Sequence, residues 1–399
     1  MTDNEKRVVV YTSAAHALNH ALELTYGAVL LVVAAQFGVG LGTLGILASI
    51  AALAYALSAL PAGTVVDRLG SKRVIVLSLV GAAAGSVVAA MSQSVWVLAA
   101  GLTVVGFFGG MYHPAGLTFI ARGVRGRARG LGLHGMGGNL GVALAPVVAA
   151  TIAGVYTWRA SFLLFGAIAL LAAVVMQVSK VTEGEYARAS GQREAHARGS
   201  NREVTRAVLF PLVLIFVINA LFGFIYRGTT TFLPAHLTEN LRFDLFGLAP
   251  VTIGGSFATV ALLFGMAGQY VGGELGERMR RESLLIPLAA LAVPALLIVG
   301  YTSGAVLVIG AAAFAFVNFM AQPSYNALIA DYAPPRMHGR MFGVAFLVGF
   351  GFGSFAGTVG GLIAQEVGTA WVFRVLAIFG VLITGCTVAM HLYATRRRG

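Results

Sequence analysis

The sequence predicts an all-α integral membrane protein with twelve transmembrane helices arranged as two pseudo-symmetric six-helix halves, and three observations predict it. First, 58% of the 399 residues are apolar, only 11% are charged and the mean hydropathy is +0.85, whereas soluble proteins carry about 25% charged residues. Second, the apolar residues fall in runs of about twenty, the length of a helix that crosses a bilayer. Strands of a membrane barrel would instead alternate apolar and polar, so helices remain. Third, short segments of the first half recur in the second at a nearly constant shift. This composition excludes a soluble enzyme, a disordered chain and a disulfide scaffold. The single cysteine, Cys386, lies in an apolar run and reads as a buried, inert thiol.

Six spans are expected near residues 8 to 36, 43 to 66, 74 to 92, 95 to 121, 131 to 156 and 160 to 179. Six more follow near 207 to 236, 246 to 273, 284 to 301, 304 to 330, 341 to 364 and 370 to 393. Residues 180 to 205 form the only long hydrophilic stretch, which divides the chain into an amino-terminal half (1 to 179), a linker and a carboxy-terminal half (206 to 399). No cleavable leader is expected, because MTDNEKR runs into an apolar stretch far longer than a signal core.

Placing both termini in the cytoplasm puts 23 of the 27 Lys and Arg residues on that side; Arg159 and Arg242 fall outside, and Arg227 and Arg374 within spans. That asymmetry is the positive-inside signature. The net charge of +12 is therefore a topology signal, and no nucleic-acid partner is expected.

The internal repeat is carried by particular residues. Gly63, Asp67 and Arg68 superpose on Gly273, Glu277 and Arg278 at a shift of 210, Pro114 on Pro323 at 209, and RGLG at Arg129 on RMFG at Arg340 at 211. Duplicated halves place a substrate path between them near the bilayer midplane.

The twelve-span count, the linker and the G-x-x-x-D-R-x-G-x-[KR]-[KR] segment from Gly63 to Arg73 resemble the major facilitator superfamily over the whole chain. S-x-x-H-x-L-N at Ser13 to Asn19, His113-Pro114 and GGNLG-x-x-x-x-P at Gly137 to Pro146 are similar to the fosmidomycin-resistance group of drug exporters. In that group an acidic residue follows the Asn of span 1 and another follows His-Pro in span 4; this chain has His20 and Ala115 instead. The resemblance implies that Asp67 helps to close the cytoplasmic gate through Arg122 or the amino end of span 11, with Gly63, Arg68, Glu277, Arg278 and Asp331 as further gate residues.

Candidate binding residues come from polar side chains inside spans. On span 1, His16, Asn19, His20 and Glu23 share one helical face, extended by Tyr26 and Gly27. A carboxylate at mid-bilayer costs about 2.5 to 3.5 kcal/mol on insertion scales, so Glu23 requires a wet cavity or a partner. Asn219, Tyr226 and Arg227 share a face of span 7, where Arg227 either captures an anion with its planar fork or forms an internal salt bridge. Tyr112 and His113 precede Pro114, Asn318 and Gln322 precede Pro323, and a kink is expected at each proline. The glycines at 132, 135, 138 and 141 imply close helix packing in span 5, with Asn139 able to reach the cavity. His16 and His20 sit at ligand spacing on one helix, yet no metal or other cofactor is expected, since the remaining ligands would have to come from elsewhere. No ATP-binding or hydrolase motif is present, so the chain is not expected to be an enzyme.

The reading that follows is a monomeric multi-pass transporter of the inner (plasma) membrane, working by alternating access. Export of a small anionic or amphiphilic compound in exchange for protons is what the group resemblance implies; proton-coupled uptake of an organic anion is the alternative. Metal-ion transport and a non-transporting receptor rank below both. Glu23, the only carboxylate deep within a span, is the expected proton carrier, with His20 or His113 as relay.

Overall fold

A computed structural model describes residues 1–125, 127–183, 206–241, 245–333 and 338–396. Most of the linker expected at 180 to 205 lies outside the described residues. The first half comprises α1 (Asp3–Ala28), α2 (Leu30–Phe37), α3 (Leu41–Leu69), α4 (Ser71–Ala90), α5 (Val95–Gly123), α6 (Arg127–Val155) and α7 (Trp158–Val178). The second comprises α8 (Arg206–Asn240), α9 (Pro250–Arg278), α10 (Arg281–Tyr301), α11 (Gly304–Tyr332), α12 (His338–Gly353), α13 (Phe355–Val367) and α14 (Thr369–Arg396). No strand occurs among the described residues. Among the described residues, eleven helices are long and apolar enough to cross a membrane when α12 and α13 are counted as one, and α1 with α2 makes a twelfth span bent by 50°.

Local chemistry sets these boundaries. The Thr2 hydroxyl accepts from Glu5 N while the Glu5 carboxylate accepts from Thr2 N at 2.7 Å, a capping box that starts α1. Ser94 and Thr157 cap α5 and α7 in the same way through their hydroxyls. Gly70, at φ 84°, turns the chain from α3 into α4 within one residue, which a side chain would strain. Helices α5 and α11 continue through Pro114 and Pro323, the positions of the expected kinks. Breaks in the helical run fall at Val29 in span 1 and Ser354 in span 11.

The same four pairings build each half. Span 3 packs on spans 4 and 6, span 2 on span 4 and span 1 on span 5, through α4, α5, α7, α3, α1 and α6. Their counterparts are α10 on α11 and α14, α9 on α11, and α8 on α12. Two symmetry-related seams join the halves, α3 against α12 and α13, and α6 against α9, with α1 facing α8 across the centre.

These seams are closed at one end only. At the end remote from the chain's start, Gly42 N donates to Gln365 Oε1 at 3.1 Å, Thr358 N donates to Ser49 Oγ at 2.8 Å, and Gly45 meets the backbone of Gly357 and Gly361. On the other seam Val147 N donates to Thr259 Oγ1 at 3.1 Å. Toward the end carrying Lys72, Arg73 and Arg122, the seams part. A Cβ added at Gly63, Gly132, Gly135, Gly273 or Gly343 would meet nothing within 4 Å. The fold is thus caught with its central cleft open at its basic end.

Candidate functional site

The stripe on α1 is the spine of the site. Asn19, His16 and His20 are 4%, 8% and 8% exposed, buried because α1 is flanked by α5, α6 and α8. Arg227 on α8 is equally buried and forms an ion pair from Nη2 to Glu23 Oε1, joining the two halves at the centre of the bundle. The other carboxylate oxygen, Oε2, lies 2.9 Å from His20 Nδ1. From there the chain of contacts continues along α1: His20 Nε2 lies 3.1 Å from His16 Nε2, and His16 Nδ1 lies 3.0 Å from the His134 carbonyl oxygen on α6. The His16 and His134 rings stack with centroids 4.2 Å apart.

Aromatic side chains wall this line. The Arg227 guanidinium stands 5.5 Å from the ring centroids of both Tyr55 and Phe350, a separation at which cation–π attraction operates. Asn19 Nδ2 donates to Tyr55 Oη at 3.0 Å, which fixes that ring. The His113 ring lies 5.4 Å from His20 and 5.5 Å from Phe346. Beside the ion pair is a cavity of about 50 Å³ bordered by Asn19, Glu23, Tyr26, Tyr55, Arg227 and Thr230. It has room for a few waters at roughly 10–15 Å³ each and is far smaller than organic-ligand pockets of roughly 300–1,000 Å³. An organic ligand therefore has to displace part of the ion-pair cluster from the cleft side.

Of the residues expected at the site, His16, Asn19, His20, Glu23, His113 and Arg227 come together, and Tyr26 lines the cavity while its hydroxyl donates to Leu44 O at 2.9 Å. Tyr226 packs on Phe319 next to Arg227 in the chain. Others are committed elsewhere. The Tyr112 hydroxyl donates to the Thr12 carbonyl and so ties α5 to α1, and Asn219 donates to Ala345 O at 2.7 Å, tying α8 to α12. Asn139 donates to Gln269 Oε1, the last bond across the α6–α9 seam before it opens. Asn318 is buried on α11, and neither it nor Gln322 borders the cavity. Tyr55, His134, Phe346 and Phe350 were not expected; a tyrosine hydroxyl in mid-span was the available signal for the first of them.

His113 brings a ring nitrogen within 4.8 Å of those of His16 and His20. We assign no metal there, because a divalent ion would add two buried charges where the one carboxylate is already held by Arg227.

At the basic end, Asp67 Oδ1 lies 2.9 Å from Arg122 Nη2, and Arg122 Nη1 lies 3.4 Å from Glu183 Oε2. The other Glu183 oxygen accepts from Ser71 N at the start of α4, where the helix dipole favours an anion. Glu183, missed in the sequence, thus docks the start of the linker beneath the Gly63–Arg73 segment. In the second half Arg281 takes both carboxylates, Glu277 at 3.6 Å and Asp331 at 2.7 Å. Of the other residues named for the gate, Arg278 pairs with Glu274 one turn back at the exposed surface, and Arg68 and Gly63 are exposed. At the first turn of α1 the Glu5 carboxylate accepts from the Arg125 and Thr2 backbone N–H groups, which ties the start of α1 to the end of α5.

The sequence model of the Major Facilitator Superfamily matches residues 12–358. Over 365 residues the chain is 27% identical to a probable sulfoacetate transporter of Cupriavidus necator, covering 87% of this chain and 80% of that one. It is 27% identical over 314 residues to the fosmidomycin resistance protein of Escherichia coli (75% and 71% covered) and 26% identical over 372 residues to a gallate transporter of Pseudomonas putida (86% and 82%). Among solved structures, a bacterial homolog of the human lysosomal transporter Spinster, inward-facing and occupied, superposes with a TM-score of 0.80 at 15% identity, covering 98% of this chain and 97% of that one.

Proposed function

We propose that this chain, which belongs to the Major Facilitator Superfamily and is a transporter rather than an enzyme, carries a small organic anion across the plasma membrane together with a proton. Its halves, 1 to 179 and 206 to 399, rock about the central site in a single monomer with both termini cytoplasmic. The observation that carries this reading is the buried Glu23–Arg227 pair between the halves. As it stands the pair is neutral. A proton added to the Glu23–His20 cluster leaves one net positive charge, and uncompensated burial of an ion costs several kcal/mol. An anion restores neutrality. Protonated His20 can hold Glu23 alone, which frees the planar Arg227 fork for a carboxylate, phosphonate or sulfonate. Arg227 Nε is buried without a hydrogen-bond partner, so a donor is already waiting. Sulfoacetate, gallate and fosmidomycin, named for the relatives, all carry such acid groups.

Joint movement of proton and anion is the alternative drawn from the sequence. Exchange of the two, with export, is the second reading, favoured by the fosmidomycin and tetracycline resistance proteins among the relatives. Proteoliposomes with an imposed pH gradient and these three acids as probes separate the two. Joint movement accumulates the anion in the alkaline compartment, and exchange accumulates it in the acidic one. In the same vesicles Arg227→Ala should weaken binding by one to two decades, since a lost charged hydrogen bond costs about 1.5–3 kcal/mol at about 1.4 kcal/mol per decade. Arg227→Lys should restore only part. Unchanged binding in Arg227→Ala removes Arg227 from the substrate site.

A further inference from the structure

We infer that the coupling proton is held between the facing Nε2 atoms of His16 and His20, and that Glu23 stays ionised beside it as counter-ion. The inference rests on the proton coupling proposed above and names where the proton resides. Its basis is tautomer logic. The His134 carbonyl can only accept, so His16 Nδ1, 3.0 Å away, carries a hydrogen. The Glu23 carboxylate, ionised against Arg227, can only accept, so His20 Nδ1 at 2.9 Å carries one as well. A neutral imidazole has one N–H. Both Nε2 atoms are then bare lone pairs, yet they face each other at 3.1 Å, the length of an N–H···N hydrogen bond. Two lone pairs do not attract at that distance. One proton between them completes the contact and makes an imidazolium–imidazole pair.

Glu23 is poorly placed to take that proton. Oε1 faces the Arg227 guanidinium, which can only donate, and Oε2 faces His20 Nδ1. A carboxyl O–H on Oε1 would point at a donor, and one on Oε2 would find an acceptor only in the His20 tautomer with its hydrogen on Nε2; the ion pair with Arg227 favours the ionised carboxylate and leaves the proton to the histidines. The surrounding groups agree with a cation on the histidine pair. From α1 comes Glu23, the one anion; from α8 comes Arg227, already facing that anion. From α5 come His113, with its ring 5.0 Å from His16, and Tyr112 at 5.5 Å; from α6 comes His134; and from α3 comes Tyr55, bonded to Asn19. The proton adds a second cation competing for Glu23, which is how it would release Arg227.

Infrared difference spectroscopy on the purified full chain, acidified without substrate, tests this. Ring-labelled histidine should show imidazolium bands that are present in the wild type and absent in His16→Asn and His20→Asn, with no protonated-carboxyl band assignable to Glu23. Nitrogen-15 spectra of the wild type provide the same information should either variant fail to fold: Nδ1 of both residues should stay protonated throughout while Nε2 gains the proton. A carboxylic-acid band that disappears in Glu23→Gln, or histidine bands unaltered in both variants, overturns the assignment. Vesicles in which a pH gradient drives no accumulation, while the histidine bands persist, overturn the proposed coupling and leave the proton site standing.

Discussion

The two ends of the seams between the halves differ in what touches what. At the remote end backbone meets backbone: Gly45 faces Gly357 and Gly361, and Gly255 faces Pro146 and Ala150. At the basic end the same helices have drawn apart. Steps of seven residues carry Asn139 back to Gly132 and Phe350 back to Gly343, which keeps each glycine on the seam-facing side, and a Cβ added at either would meet nothing within 4 Å. One end is therefore a close-packed seal and the other a cleft, with the Glu23–Arg227 pair between them. The contrast teaches that closure is made by small residues, whereas the charges of the basic end are held within each half: Asp67 with Arg122, and Glu277 and Asp331 with Arg281.

Breaking the seal should have the largest effect. A side chain at Gly45 overlaps the Gly357 carbonyl, and overpacking costs about 1–3 kcal/mol, or roughly five- to more than a hundredfold in a conformational equilibrium. Gly45→Leu is expected to lower transport at least about fivefold and to shift the protein away from the closed remote end, as read by distances between spin labels placed across that end. A smaller effect is expected at the gate. Exposed ion pairs contribute about 0–1 kcal/mol to stability, so Asp67→Asn should leave melting and substrate affinity nearly unchanged, affinity within a few fold, while slowing turnover. Collapse of affinity without slower cycling would place Asp67 in another role. The smallest effect belongs to Gly135, in the open cleft. Gly135→Leu should leave stability within about 0.5 kcal/mol and slow exchange a few fold, because only the state closed at the basic end would feel the added side chain. Equal damage from Gly135→Leu and Gly45→Leu would erase the distinction between the ends.

Spans, repeat and α1 stripe were legible in the sequence because each is a periodic property. Hydropathy marks lengths, a constant shift marks duplication, and steps of three and four mark a helix face. Long-range partners were not. His134 lies in a glycine-rich run that reads as packing, and only the register of α6 against α1 brings its carbonyl to His16, 118 residues away. Phe346 and Phe350 read as core, like any aromatic in an apolar run, until Arg227 is seen beside Phe350. Asn219 illustrates a different kind of long-range partner. A polar side chain inside a span needs a partner, and that partner proved to be a backbone carbonyl on a neighbouring helix.

The central claim is that the ion pair joining the halves is the proton-sensitive switch, and Glu23→Gln tests it most directly. The variant removes the charge that holds Arg227, so substrate should bind without needing a proton. In proteoliposomes the variant should still exchange labelled for unlabelled substrate but should not accumulate it when a pH gradient is the sole driving force. Accumulation against a substrate gradient under that condition, at a rate near that of the wild type, would contradict the account.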